Sequence, residues 1–222
     1  MTPEQNVAVR IVKEILHSIK LTPGQKENEV ADWIKVELKK RGAKPAFSTI
    51  VASGKRSLDP HGHPTNKFIK SGDQVVVDFG AHYKGYKSDV TRTYLVGNAT
   101  GKQKRFYNIV KNAQLKAIAA VKEGVRCCDI DLIARNYIKK LCYNDCHISN
   151  KKCPGDCFIH TTGHGVGRRI HQGPKISLRN KRKLKAGQVI TIEPGIYIKG
   201  WGGIRIEDMV LVTKTGGRNL TA

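Results

Sequence analysis

Apolar residues recur at helical spacing from the start of the chain. Val7, Ile11, Val12 and Ile15 follow Thr2-Pro3-Glu4-Gln5, which reads as a capping box with Pro at the first helical position. This pattern predicts a helix to about His17. After a Pro23-Gly24 turn, Val30, Ala31, Ile34 and Leu38 form a second apolar stripe, which predicts a helix over about 26–41 ended by Gly42. Residues 47–52 read as a strand. A third helix is expected from Thr100-Gly101 to about Lys122, with Phe106, Ile109, Val110, Ala113, Ala117, Ala120 and Val121 inward, and a fourth over about 129–141. Two segments, 74–96 and 188–212, change period. Each is an apolar, β-branched run, a Gly-containing turn and a second such run, the pattern of a β-hairpin. The order is helix, helix, strand, hairpin, then helix, helix, His-containing loop, hairpin. It predicts an α+β domain of two related halves, with a site between them.

The hairpins carry acids where apolar strands should carry none. Folding the first about Tyr83-Lys84 places Asp78 opposite Asp89, and folding the second about Gly200 places Glu193 opposite Glu207. Opposed side chains on paired strands lie roughly 4.5–5.5 Å apart at Cβ, where like charges are destabilising. Two such pairs imply a neutralising cation, and two divalent ions balance four carboxylates. His164, in Gly163-His-Gly-Val-Gly167, is the candidate nitrogen ligand. Carboxylates with one imidazole suit Mn, Fe, Co or Zn, and a ligand set without Cys points to catalysis rather than a closed structural site.

With 222 residues, 39% of them hydrophobic, the chain is expected to form one sizeable domain spanning 1–222. No apolar run approaches a membrane span, and residues 1–20 lack a signal-peptide core, so a cytoplasmic protein is the expectation. The net charge of +22 attracts nucleic acid, anionic surfaces and acidic peptides. The densest basic cluster, Arg179-Asn-Lys-Arg-Lys-Leu-Lys185, reads as an exposed loop. No aromatic-interleaved basic stripe accompanies it, so a solvated surface is the simpler reading.

Val77-Asp-Phe-Gly80, Gly85-Tyr-Lys-Ser-Asp-Val-Thr-Arg92, the Gly163–Gly167 segment, Ile192-Glu-Pro-Gly195 and Arg205-Ile-Glu-Asp208 together resemble the pita-bread metallopeptidases, over nearly the whole chain. That family includes methionine aminopeptidase, aminopeptidase P, prolidase and creatinase. The resemblance implies the pita-bread fold and a dinuclear centre. Asp89 and Glu207 would bridge the metals, Asp78 would complete one shell, and His164 and Glu193 the other. Glu193 would also be the general base. Ser57-Leu-Asp-Pro-His-Gly-His-Pro64, the Tyr-Lys-Ser before Asp89 and Arg205 two residues before Glu207 resemble the Xaa-Pro branch. That branch hydrolyses the bond before proline. His61, His160, His171 and Arg205 then match substrate-site residues, with His61 and His171 also catalytic and His171 aimed at the developing oxyanion. The resemblance implies a peptide substrate and allows for a homodimer. The rival readings are a methionine aminopeptidase and a non-catalytic pita-bread module that binds nucleic acid.

Three features depart from the family pattern. The chain begins almost at the first catalytic-domain helix, so no separate N-terminal creatinase-like domain is expected. Arg168-Arg169 and Gln172 stand where an apolar residue, an acid and Glu are usual, which adds positive charge near the expected mouth and favours substrates with acidic groups or a free carboxylate. A Cys-rich insertion at about 142–157 carries Cys142, Cys146, Cys153 and Cys157. A structural zinc, local disulfides and free thiols are its three competing readings.

Overall fold

The computed structural model describes residues 1–142 and 157–222. Helices form where the apolar stripes run: α1 (Pro3–Ser18), α2 (Glu27–Lys40), α3 (Gly101–Ala119) and α4 (Cys127–Cys142). The Thr2 hydroxyl accepts the Gln5 N–H at the start of α1, and Thr100 with Gln103 closes a capping box on α3. Ile11, Val12 and Ile15 of α1 and Val30, Ile34 and Leu38 of α2 are buried. Val7, Ala31 and Ala120, expected inward, are half-buried, while Ala8 and Val9 go inside instead. No helix among the described residues is long and apolar enough to cross a membrane.

The strands of the first half are β1 (Lys44–Pro45), β2 (Ile50–Ser53), β3 (Gln74–Phe79), β4 (Ala81–Tyr83), β5 (Tyr86–Lys87) and β6 (Val90–Leu95). Those of the second are β7 (Gly163–Gly165), β8 (Gln172–Ile176), β9 (Val189–Ile192), β10 (Gly195–Ile198), β11 (Gly202–Arg205), β12 (Asp208–Val212) and β13 (Gly217–Asn219). β3 lies central in an antiparallel β2-β3-β6 sheet, and β9 is central in the sheet β13-β12-β9-β7-β8. Each hairpin continues past its sheet, through β4 and β5 in the first half and through β10 and β11 in the second.

The first hairpin corrects the expected register. Phe79 pairs with Val90 and Tyr83 with Tyr86, so the turn is Lys84-Gly85 and Asp78 faces Thr91 rather than Asp89. A two-residue hairpin turn of type I′ needs positive φ at both central positions, and Lys84 (φ 44°) and Gly85 (φ 84°) supply it. A bulky aromatic such as Tyr83 resists that conformation. Side chains alternate with period two, so a two-residue slip returns each to its original face. Asp78 and Asp89 therefore still share a face. The second hairpin keeps its expected register: Ile192 pairs with Asp208 and Gly195 with Arg205, which sets Glu193 opposite Glu207.

The two halves repeat each other in detail. Gly24 (φ 94°) and Gly124 (φ 84°) turn the chain into α2 and α4. Each is followed by an isolated bridge, Lys26 to Phe68 and Arg126 to Lys183. Each half has its own core, one including Ile15, Leu38 and Phe79 and the other Phe106, Ile130 and Ile192. Each also has a buried acid that ties a helix to the segment approaching the site. Glu27 accepts from the Ser53 N–H and hydroxyl (both 2.8 Å), the Thr65 N–H and hydroxyl, and Arg56. Asp131 accepts from the Thr162 N–H (3.1 Å) and hydroxyl (2.8 Å) and from Arg135. The halves meet where β6 crosses the end of β11. There the Glu207 N–H donates to Thr91 O (3.1 Å) and the Thr93 hydroxyl to Arg205 O (2.8 Å).

Candidate metal centre

Asp78, Asp89, His164, Glu193 and Glu207 come from four places in the chain and line one cavity of about 1160 Å³. Asp78 stands in β3 and His164 in β7, Asp89 precedes β6, and Glu193 and Glu207 lie at the crossing of the second hairpin. Asp89, His164 and Glu207 each offer a ligand atom, all within 4.8 Å of one another. Close backbone packing sets these positions. A Cβ at Gly163 would stand 1.9 Å from the Thr191 carbonyl oxygen, so only Gly lets β7 lie this near β9 with His164 beside Glu193.

His164 is prepared as a ligand. Its Nδ1 lies 3.1 Å from the Gly165 carbonyl oxygen. A carbonyl only accepts, so Nδ1 carries the proton and the Nε2 lone pair is bare. Nε2 faces Asp89 Oδ2 at 3.6 Å and Glu193 Oε1 at 3.4 Å, and burial keeps the ring neutral by lowering its pKa. A lone pair and two carboxylate oxygens thus converge on one small volume.

The carboxylates are out of balance without a cation. Burial holds Asp89 and Glu207 well above the usual carboxylate range; the charge of Glu207 pushes Asp89 the same way, and those of Asp78 and Glu193 push both. Burial also pushes Glu193 up to about 7. It raises Asp78 too, against the pull of Arg205. Among the described residues Asp78 Oδ1 is buried with no hydrogen-bond partner, although Oδ2 accepts from Arg205 Nη2 at 2.8 Å. An orphaned buried acceptor beside an oxygen-rich donor set fits divalent cations, and Mn, Fe, Co and Zn all accept such ligands.

Three supporting residues escaped the sequence reading. The Thr91 hydroxyl donates to Glu207 Oε2 (2.6 Å) and accepts from Arg205 Nε. The Thr191 hydroxyl lies 3.2 Å from Glu193 Oε1 and accepts the His164 N–H at 3.1 Å. Tyr197 bonds both Arg205 and His160. All three sit an even number of residues from an acid of the site, so strand alternation would have placed them on its face.

The sequence-matched substrate residues divide. His61 and His171 are exposed and line the cavity, with the His171 ring edge-on to His164 at 4.5 Å. His160 and Arg205 line it too, but their polar atoms are largely committed to the protein. His160 Nδ1 donates to Thr161 O (2.9 Å) and Nε2 accepts from the Tyr197 hydroxyl (2.9 Å). Arg205 is 3% exposed and donates to Asp78, Tyr197, Thr91 and the Pro60 carbonyl. Arg168 and Arg169 are exposed outside the cavity lining, with Arg168 lying over the Tyr86 ring. They turn outward from the tight β7-to-β8 connection, so the charge expected of them at the mouth is not theirs to supply. Cys146 and Cys153 lie outside the described residues. Cys142 is buried at the end of α4, and Cys157 is half-buried and disulfide-bonded.

The sequence model of metallopeptidase family M24 matches residues 4–214. The chain belongs to metallopeptidase family M24. An Xaa-Pro dipeptidase of Pyrococcus furiosus is 49% identical over 202 residues, which cover 90% of this chain and 55% of that protein. A putative Xaa-Pro aminopeptidase of Mycoplasma genitalium is 41% identical over 212 residues, 93% of this chain and 57% of the relative. Among solved structures, the prolidase of Pyrococcus furiosus superposes with a TM-score of 0.91 at 45% identity, covering 99% of this chain and 63% of its own. A His361Ala form of Escherichia coli aminopeptidase P gives 0.87 at 27% identity, covering 100% of this chain and 56% of its own. This M24 chain thus has the pita-bread fold expected from its motifs, and it spans about half the length of the curated relatives it matches.

Proposed function

We propose that this M24 domain is a metallo-exopeptidase of the Xaa-Pro type, hydrolysing the peptide bond before proline. In this reading Asp78, Asp89, His164, Glu193 and Glu207 would hold two divalent cations, and Asp89 and Glu207 would serve both. The observation that carries it is the convergence of four buried carboxylates with the bare Nε2 of a neutral His164 at the floor of one open cavity. Relatives at 41–49% identity that bear Xaa-Pro names support the substrate class over methionine. When bound, the metals supply Lewis acidity to the water and the scissile carbonyl. Thr191 holds Oε1 of Glu193, and this carboxylate takes the proton of the attacking water. His171 donates to the oxyanion as charge develops there. His61, across the cavity, meets the substrate, while Arg205 keeps Asp78 in place from behind.

A panel of Xaa-Pro and Met-Ala peptides tests this reading after reconstitution with manganese or cobalt. Cleavage confined to Xaa-Pro bonds is expected. Cleavage confined to Met-Ala peptides would replace it with methionine aminopeptidase, and no cleavage with salt-dependent RNA binding would replace it with a binding module.

Thr191→Val removes the bonds to the His164 N–H and to Glu193 with little change in volume. It is expected to weaken manganese binding about 10–100-fold. Isothermal titration calorimetry reads this, and an unchanged affinity would remove Thr191 from the support of the centre.

A further inference from the structure

Apart from the buried Arg205, the Lys and Arg residues that line the cavity all come from one segment. Phe47, Ser48, Pro60, His61 and His63 come from the first half, with no Lys or Arg among them. The facing wall is built by residues 172–182, and it presents Lys175, Arg179 and Arg182. Lys181, Lys183 and Lys185 continue the positive charge along the same loop, outside the lining. There is no Asp or Glu between Asp156 and Glu193.

This loop is anchored. The Cys127 N–H donates to Arg182 O, the Cys128 N–H to Asn180 O and the Gly124 N–H to Leu184 O, each at 2.9 Å. The Leu184 N–H returns to Val125 O at 2.8 Å. Its cations are thus held beside the entry to α4. The acids near that entry are occupied. Asp129 accepts from Nε and Nη2 of Arg126, and Glu123 accepts the Ala186 N–H at 3.1 Å. Within the described residues, none of the six basic side chains from 175 to 185 lies in an ion pair.

We propose that this cationic wall selects acidic peptides, those with an Asp or Glu side chain beside the scissile bond. The inference rests on the Xaa-Pro reading and specifies its substrate class. Six cations along one side of a concave site, with no ion-pair partner among the described residues, focus a positive potential into it, which raises the local concentration of anionic ligands and repels cationic ones. Because the first half places no Lys or Arg in the lining, the attraction also orients the ligand, drawing its acidic side chain toward residues 175–182. The strip beyond the lining acts through space, so salt screens it over about 10 Å at 0.1 M.

The test compares kcat/KM for Glu-Pro, Ala-Pro and Lys-Pro dipeptides from 20 mM to 1 M salt, in wild type and in K181E/K183E/K185E. These three lysines lie outside the cavity lining. At low salt the Glu-Pro to Lys-Pro ratio is expected to be about tenfold or more. It should fall toward one at high salt and drop several-fold in the triple variant, with Ala-Pro nearly unchanged. Equal rates at low salt, a salt-independent ratio, or an unchanged ratio in the triple variant would overturn the proposal.

Loss of all Xaa-Pro hydrolysis would instead defeat the activity reading. The wall is then judged by fluorescence anisotropy of a dye-labelled triglutamate peptide on the metal-loaded protein. Salt-sensitive binding weakened in the triple variant supports the proposal. Absent binding overturns it, as does displacement of the peptide by micromolar single-stranded oligonucleotide, which would assign the wall to nucleic acid.

Discussion

Glu193→Gln is expected to lower kcat for an Xaa-Pro dipeptide about a thousandfold. The amide keeps an oxygen near the Thr191 hydroxyl and the shape of the side chain, but it cannot accept the proton of the attacking water. The substitution should leave the fold intact, because Glu193 is one of four acids that burial and mutual repulsion already disfavour. Removing one charge relieves that repulsion, so the metal-free variant should be no less stable than metal-free wild type. Circular dichroism melts of both, beside steady-state kinetics with manganese, separate the two effects. Near-normal turnover in a manganese-loaded variant would defeat the assignment of Glu193 as base.

Arg205→Met should cost the metal-free protein about 3–5 kcal/mol of stability, the usual penalty for removing one partner of a buried ion pair. Arg205 lies behind the acids, and its Nη2 donates to Asp78 Oδ2 at 2.8 Å. Its loss leaves Asp78 with an uncompensated buried charge and strips donors from Tyr197 and the Pro60 carbonyl. Urea denaturation measures the change. Manganese should recover part of it, because a cation at the centre offsets the same charge from the other side. Arg205→Lys should lie between, since an ammonium keeps the charge but lacks the planar fork that reaches several partners at once. Equal stability of the Met variant and wild type would show that the Asp78 pair carries no weight in the fold.

Much of this architecture was legible along the chain because it is periodic. The stripes of α1 to α4 predicted their helices to within a few residues, and Gly24 and Gly42 stand in the backbone conformations that only turns require. The face of each acid was legible for the same reason. Period-two alternation made Asp78 and Asp89 neighbours of one site even though the turn was placed one residue early. The Thr91, Thr191 and Tyr197 supports obey the same alternation. They went unread because a hydroxyl in a strand looks like an ordinary β-former until its partner is known.

By itself, the sequence determined which residues form each helix and hairpin and which face each acid occupies, because these follow from local periodicity and spacing, while its motifs, by their resemblance to a known family, grouped the four acids with His164. Only the tertiary structure decided what meets across the halves. Arg205 binds Asp78 and Tyr197 takes His160, while residues 175–182, rather than Arg168 and Arg169, build the charged wall. Those contacts join segments that come together only when the hairpins cross, and no periodic signal within either segment encodes which atoms of the other it will meet.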